Sequence, residues 1–357
     1  MMQKIILCHD NSELSGACEE VTLQLARSFG CDVVGIHGFN SVMHDGAFRI
    51  MEPTLPQEYQ KEEILQHQRA VHATLIKVGM EKISLSYLRP LEDDFKQAGV
   101  PFRPKVFEGK NFIAINEMIQ QEGDGLIVIG AGGFNALQRG FVGSVCMRVL
   151  RSNDRDILVV KRPTQLKEPN IVVCLDGSAC AINALKAAKA FAEKYSGNLH
   201  LVYAFDSSLH KDLFNRLKDS VINAEGFSFN SQQQEKIHDE FIDKGLERVG
   251  YMILDKAERD VFSGNSLSAR FSEGWGLVPE DVQVAGVRVI KKVFAGYIYK
   301  SICDYAAEVN ADMIFIGRTG RHYAEGVDLG SVTENVLRYA PCSVFITQKE
   351  QNKGWQI

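Results

Sequence analysis

The chain has 357 residues, 45% of them hydrophobic and 24% charged, with a formal net charge of −5. That balance suits a soluble globular protein able to bury two cores, and no run of Lys and Arg offers a footprint for nucleic acid or a membrane surface. No apolar stretch is long enough to span a bilayer, and the N-terminus reads as a strand rather than a signal peptide, so a cytoplasmic protein is expected.

Short apolar strands alternate with helical patterns along the chain. In the first half, strands are expected near 4–9, 32–37, 102–107, 126–129 and 156–160, and a first helix places Leu14, Ala17, Val21, Leu25 and Phe29 on one face. An insertion follows the second strand, with helical spacing from Glu58 to Lys82 through Ile64, Val71, Leu75 and Val78. After the fourth strand comes Gly-x2-Gly-x9-Gly-Ser, formed by Gly130, Gly133, Gly143 and Ser144. Lys161 to Pro169, polar and bracketed by prolines, reads as a linker. The second half has strands near 170–175, 198–204, 286–294, 313–316 and 343–347, and a first helix with Ala181, Leu185, Ala188 and Ala192 on one face. Its longer insertion has helix-like stretches near 210–222 and 232–257. Around 258–282 it is rich in Gly and Ser yet carries Phe262, Phe271 and Trp275, either a lid or partner surface or a loop packing its own aromatics.

The glycine pattern recurs as Gly317, Gly320, Gly330 and Ser331, and Lys105-Val106-Phe107 recurs as Lys292-Val293-Phe294, both at an offset of 187 residues. The opening Ile5-Ile6-Leu7-Cys8-His9-Asp10 recurs as Ile171-Val172-Val173-Cys174-Leu175-Asp176 at an offset of 166. The chain is therefore a tandem repeat: a first domain over 1–162, a linker over 163–169 and a second domain over 170–350 with the longer insertion. Near-continuous Val/Ile/Leu strands between helices predict an α/β fold, two five-stranded parallel sheets covered on both faces, with ligands beyond the strands' carboxyl ends. All the glycine loops fall there. Strand, glycine loop, then Gly-Ser opening a helix is what an anion cradle requires, because glycine allows close backbone approach and a helix start presents free N–H groups.

These residues resemble the universal stress proteins in a tandem arrangement. The resemblance covers both halves outside their insertions and implies a Rossmann-like, adenine-nucleotide-hydrolase-like fold. In nucleotide-binding members the same Gly-x2-Gly-x9-Gly-Ser/Thr pattern holds ATP phosphates, so ATP is implied as ligand, with Mg carried by the phosphates. The second half is the closer match: Gly330-Ser331-Val332-Thr333-Glu334-Asn335 and Ala340-Pro341-Cys342 follow the family sequence. The first half keeps Ser144 but has Cys146, Met147 and Arg148 in place of Thr, Glu and Asn.

By that resemblance Asp10 and Asp176 lie near adenine and ribose, and Gly38 and Ala204 offer main-chain contacts to adenine. The other reading of the aspartates is a turn or cap before Ser12 and Ser178, compatible with the first. Phosphate binding is assigned to Gly317, Gly320, Gly330, Ser331, Val332 and Thr333, and in the first half to Gly130, Gly133, Gly143 and Ser144. The alternatives are tight turns for the glycines, helix capping for Ser331 and a solvated face for Thr333. Arg318 and Arg321 flank the second loop, either neutralising phosphate or merely solvated. The first loop has Ala131 and Gly132 between its glycines, so one ATP per chain, in the second half, is expected.

No GxxxxGK[ST], HExxH or GxSxG occurs, Gly130–Asn135 fails the dinucleotide pattern, and the eight cysteines include no CxxC. No catalytic or metal-ligating residue is assigned. His67 and His72 read as a solvated helix face, and His9 and His37 as packed or capped. At most slow ATP hydrolysis or autophosphorylation is expected. The reading is an ATP-binding regulator of a stress response. Alternatives are an interaction module with vestigial pockets and an enzyme acting on adenylated substrates. The last strands, near 156–160 and 343–347, are edges that would pair the halves into a pseudo-dimer, or pair chains into a homodimer.

Overall fold

The computed structural model describes residues 3–132, 141–164, 166–206, 243–262, 281–284, 286–321 and 328–348. They divide into two compact units, with Pro163 in the first and Thr164 in the second.

The first unit runs β1 (Lys4–Cys8), α1 (Glu13–Phe29), β2 (Asp32–Phe39), α2 (Val42–Met51), α3 (Glu62–Gln97), β3 (Phe102–Glu108), α4 (Asn111–Glu122), β4 (Leu126–Gly130), α5 (Ser144–Ser152) and β5 (Ile157–Val160). Its sheet has the order β3-β2-β1-β4-β5, every pair parallel. Ile5, Ile6, Leu7, Ile127 and Val128 are wholly buried, as strands covered on both faces require. On α1 the stripe Ala17, Val21 and Leu25 is buried against the sheet, and the helix stops at Gly30, whose φ of 68° is the left-handed cap that glycine adopts without strain. The insertion helix is longer than its spacing predicts. It continues through Pro90 to Gln97 because Leu88, Leu91 and Phe95 are buried and sustain it beyond the exposed 71–78 turns. His72, expected on a solvated face, stacks on Phe48 at 4.4 Å between ring centres.

The second unit runs β6 (Asn170–Cys174), α6 (Ala179–Tyr195), β7 (Asn198–Phe205), α7 (Asp243–Phe262), β8 (Asp281–Val284), β9 (Val287–Ala295), α8 (Ile298–Glu308), β10 (Met313–Gly317), α9 (Ser331–Tyr339) and β11 (Ser343–Thr347). The parallel strands are ordered β11-β10-β6-β7-β9. A sixth strand, β8, absent from the sequence reading, adds antiparallel to β9 through a turn at Gly286, φ 82°. Across this hairpin the Arg288 Nε donates to Asp281 Oδ1 at 3.1 Å and to Oδ2 at 3.0 Å. Val282-x-Val284 before Gly286 and Val287-x-Val289 after it was a hairpin pattern legible in the chain. Helix α7 is described from Asp243, inside the expected 232–257 stretch, and extends to Phe262, whose ring is buried with the Lys189 ammonium 5.4 Å above it. The expected helix at 210–222 and the aromatic residues Phe271 and Trp275 lie outside the described residues. Of the segment read as a linker, Thr164 and Leu166 are buried, and the Thr164 hydroxyl lies 2.8 Å from that of Ser343.

Two histidines tie stability to pH. His9 and His200 are each 6% exposed, and burial pushes both from the usual 6.5 down to about 4. The His200 Nδ1 sits 2.9 Å from the Tyr305 hydroxyl, whereas the His9 Nδ1 has no hydrogen-bond partner among the described residues. Both are neutral in the folded chain, while the unfolded chain takes up protons as pH falls below 6.5. The unfolded state therefore binds more protons between about 6.5 and 4, and stability declines across that window as pH drops. His9→Leu, the residue found at the matching position 175, is expected to make that decline shallower. Denaturant midpoints at pH 7 and 5 check it, and an identical decline in the variant would refute the role of His9.

Candidate functional site

Beyond the carboxyl ends of β6, β7 and β10 lies a cavity of about 730 Å³. Residues predicted from scattered parts of the sequence converge on it: Asp176, Ala204, Gly317, Gly320, Gly330, Ser331, Val332 and Thr333 all line its wall. Arg321 lines it too, but Arg318 does not. Arg318, which directly follows β10, is wholly buried. What Arg318 gives the site is its main chain, whose carbonyl accepts the Gly330 N–H at 2.9 Å.

The three glycines answer to three different constraints. A Cβ at Gly317 would lie 2.9 Å from the Cys180 Cβ and 3.0 Å from the Ala181 nitrogen, so glycine here lets the start of α6 seat on the strand end. A Cβ at Gly320 would lie 2.7 Å from Asp176 Oδ2. That oxygen accepts the Arg321 N–H at 2.8 Å, and Oδ1 accepts the Ser178 N–H at 2.9 Å. Asp176 thus fastens the glycine loop to the turn after β6, the turn role expected of it, and it also lines the cavity. At Gly330 the backbone is ordinary, φ −66° and ψ 144°, and a Cβ would meet nothing closer than 3.4 Å. Among the described residues, no strain and no clash selects glycine there.

Gly330 is the cap of α9, and its carbonyl accepts the first intrahelical bond, from the Glu334 N–H at 2.9 Å. The amides of Ser331, Val332 and Thr333 precede that bond and have no acceptor within the helix. They stand at the cavity wall with the partial positive charge of a helix start. The Ser331 side chain is exposed, while Thr333 is 3% exposed. The Thr333 hydroxyl neither faces solvent nor stands free. It donates to the Gly317 carbonyl at 2.8 Å and pins the helix start to β10.

The cavity is also lined by apolar Leu175, Val202, Phe205, Ile298, Ile302 and Leu329, and by polar Ser178, Asp206 and Thr319. Tyr203 also lines the cavity. Burial, followed by the charge of Asp176, pushes its phenol above the usual range, with Arg321 opposing. Sequence reasoning stopped at Ala204 and missed Tyr203 and Phe205 on either side of it. Their place at the end of the same strand was the available signal.

The first unit repeats the frame with different contents. Gly143 caps α5, and its N–H donates to the Ala131 carbonyl at 2.6 Å, the counterpart of the Gly330–Arg318 bond. Ser144 is exposed at the helix start, Gly130 ends β4, and Gly38 lies in β2 opposite Phe107, as Ala204 lies opposite Phe294. Gly133 lies outside the described residues. Asp10 makes the turn bond that Asp176 makes and adds another. Its Oδ1 accepts the Ser12 N–H at 3.0 Å and the hydroxyl of buried Ser15. Burial raises its pKa, but these bonds outweigh it and hold the carboxyl below the usual range. The residue matching Ser15 in the second unit is Ala181, which has no hydroxyl to capture Asp176. Arg148 sits over the Phe112 ring at 4.5 Å, committed to α4, and Cys146 is buried where the second unit has the Thr333 bond. His37 places Nδ1 2.7 Å from the His9 carbonyl and meets Tyr87 edge-on. Among the described residues no cluster of His, Cys, Asp or Glu is arranged to hold a metal ion, and no helix is long and apolar enough to cross a membrane.

The repeated unit has relatives outside this chain. The family model described as the universal stress protein family matches residues 1–161 and 169–348. A universal stress protein of Methanocaldococcus jannaschii is 25% identical over 183 residues, covering 51% of this chain and 84% of that protein. The crystal structure of a universal stress protein from Archaeoglobus fulgidus aligns over 97% of this chain and 98% of its own, with a TM-score of 0.57 and 19% identity, a likeness of fold.

Proposed function

The chain belongs to the universal stress protein family, and from that premise we propose that its second unit binds ATP as a regulatory ligand. The observation that carries the reading is the α9 start. The Ser331, Val332 and Thr333 amides stand at one wall of a cavity whose remaining lining offers apolar room for a base and the Asp176 carboxylate for sugar hydroxyls. Triphosphate oxygens would take the amides and the Ser331 hydroxyl, with Arg321 supplying positive charge at the rim. Mg enters with the phosphates, which supply its ligands. The protein works in the cytoplasm as a stress-response regulator, gaining or losing partners as the site fills.

At most slow ATP hydrolysis is expected: of the three carboxylates that line the described cavity, Asp176, Asp206 and Glu334, Asp176 already holds two backbone N–H groups and Glu334 is paired with Arg338 at 2.7 Å.

The first unit fills weakly or stays empty, since Asp10 is held by Ser15, Arg148 lies on Phe112, and Cys146 replaces Thr333. Calorimetry with ATP is expected to show one tight site per chain, weakened about tenfold by Ser331→Ala, the loss of one hydrogen bond to a charged group. Ser144→Ala should leave that site unchanged. A larger loss from Ser144→Ala would reverse the assignment of the halves, and a wild-type chain that binds no ATP would end the nucleotide reading.

A further inference from the structure

We propose that Tyr203 is the wall against which the nucleotide base packs, and that the insertion helix α7 belongs to the site because its Gly250 holds that ring in place. The proposal rests on the nucleotide reading and gives the second unit's longer insertion a role in it.

Tyr203 lines the cavity and is partly exposed, as a ring available to a ligand must be. It lies beside Val293 in the β7–β9 register, so both side chains stand on the same face of the sheet. Helix α7 packs on that face at Gly250. A Cβ there would sit 2.7 Å from Tyr203 Cδ1 and 2.9 and 3.0 Å from the two Val293 methyls. Contacts that short between carbon atoms force a shift, so any other residue at 250 displaces the ring or lifts the helix. The close approach is anchored farther along α7. Lys291, on the same face as Val293 by strand alternation, is wholly buried and pairs with Asp255 at 2.5 Å and with Glu258, both on α7. The first unit covers the matching face with α3 through buried Leu88, Leu91 and Phe95, and the ion pair between α3 and β3, Lys77 with Glu108 at 2.7 Å, is partly exposed rather than buried.

Tyr203 is thus proposed as a binding residue and Gly250 as a positioning residue acting through it. The test separates base from phosphate by comparing ATP with inorganic tripolyphosphate, which has no base. Tyr203→Ala is expected to weaken ATP about tenfold, the scale of an aromatic–base contact, and to leave tripolyphosphate unchanged. Tyr203→Phe, which keeps the ring, should retain most of the ATP affinity. In a Val293→Ala background, where the valine clash is gone, Gly250→Ala should weaken ATP through the ring alone. Adding Tyr203→Ala should then cost nothing beyond Tyr203→Ala itself. If the Gly250 variants do not fold, the two Tyr203 variants decide the matter. Equal ATP affinity in Tyr203→Ala and wild type would overturn the wall while leaving ATP binding standing. A Gly250→Ala loss that persists without the tyrosine ring would overturn the positioning role. Wild-type protein that binds no ATP would overturn both the proposal and the reading beneath it.

Discussion

Gly330→Val is expected to abolish ATP binding and leave the fold intact. The two halves of that expectation come from different measurements on the same residue. Its φ of −66° and ψ of 144° suit any L-residue, and a Cβ would lie 3.4 Å from the Arg318 carbonyl, an ordinary contact. The folded protein therefore loses little. The cavity, however, is bounded at this point by the Gly330 backbone, and the valine methyls would occupy space between the α9 amides and an incoming phosphate. Displacing a phosphate from two charge-assisted hydrogen bonds, at about 1.5–3 kcal/mol each, lowers affinity by a factor of roughly 100 or more. Calorimetry should register no ATP heat at protein concentrations that saturate wild type, with an unchanged far-ultraviolet circular dichroism spectrum and melt. Gly320→Val makes the contrast. It drives a Cβ to 2.7 Å from Asp176 Oδ2, so it should disturb the loop clamp itself and lower stability as well as affinity. A folded Gly330→Val chain that binds ATP normally would refute the placement of phosphate at α9.

Much of this site was legible in the chain, because repetition and period carry it. Apolar runs with short helical stripes predicted parallel sheets, and the recurring glycine spacing placed Gly317, Gly320, Gly330 and Ser331 at one sheet end, where the structure brings them to one cavity. What was not legible depended on which way a side chain faces beside an irregular loop. Arg318 and Arg321 looked alike as flanking cations, yet Arg318 is buried and only Arg321 reaches the cavity wall. Asp10 and Asp176 looked alike as strand-end carboxylates. Their difference is set by the residue five positions on, Ser15 with a hydroxyl that binds Asp10 and Ala181 with none. The approach of Gly250 to Tyr203 was not legible, because it joins a strand to a helix 47 positions along the chain and no local period encodes it. The hairpin strand β8, by contrast, was legible in Val282-x-Val284 before Gly286 and was passed over beside the longer β9.

Lys291→Met should cost the second unit more stability than any substitution at the cavity. Lys291 is wholly buried between α7 and β9, and its ammonium meets two carboxylates, Asp255 at 2.5 Å and Glu258. Those carboxylates are 2% and 0% exposed, and the pairing of Glu258 lacks hydrogen-bond geometry. Removing the one cation leaves two negative groups facing each other out of reach of water. Breaking a buried pair in this way costs about 3–5 kcal/mol, because desolvation is no longer offset by attraction. For a unit of this size, that lowers the melting temperature by roughly 6–20 °C. The charges are not needed for stability as such. Replacing all three together, Lys291→Met with Asp255→Leu and Glu258→Leu, removes the desolvation cost and should recover most of the loss or exceed wild type. What the ions add over an apolar contact is register, since a single ammonium between two carboxylates one turn apart accepts α7 at one position along β9, while apolar side chains tolerate sliding. The triple variant should therefore melt near wild type yet bind ATP more weakly than wild type, because α7 no longer fixes Gly250 under the Tyr203 ring. A Lys291→Met chain melting within about 2 °C of wild type would show that the cluster carries no such weight.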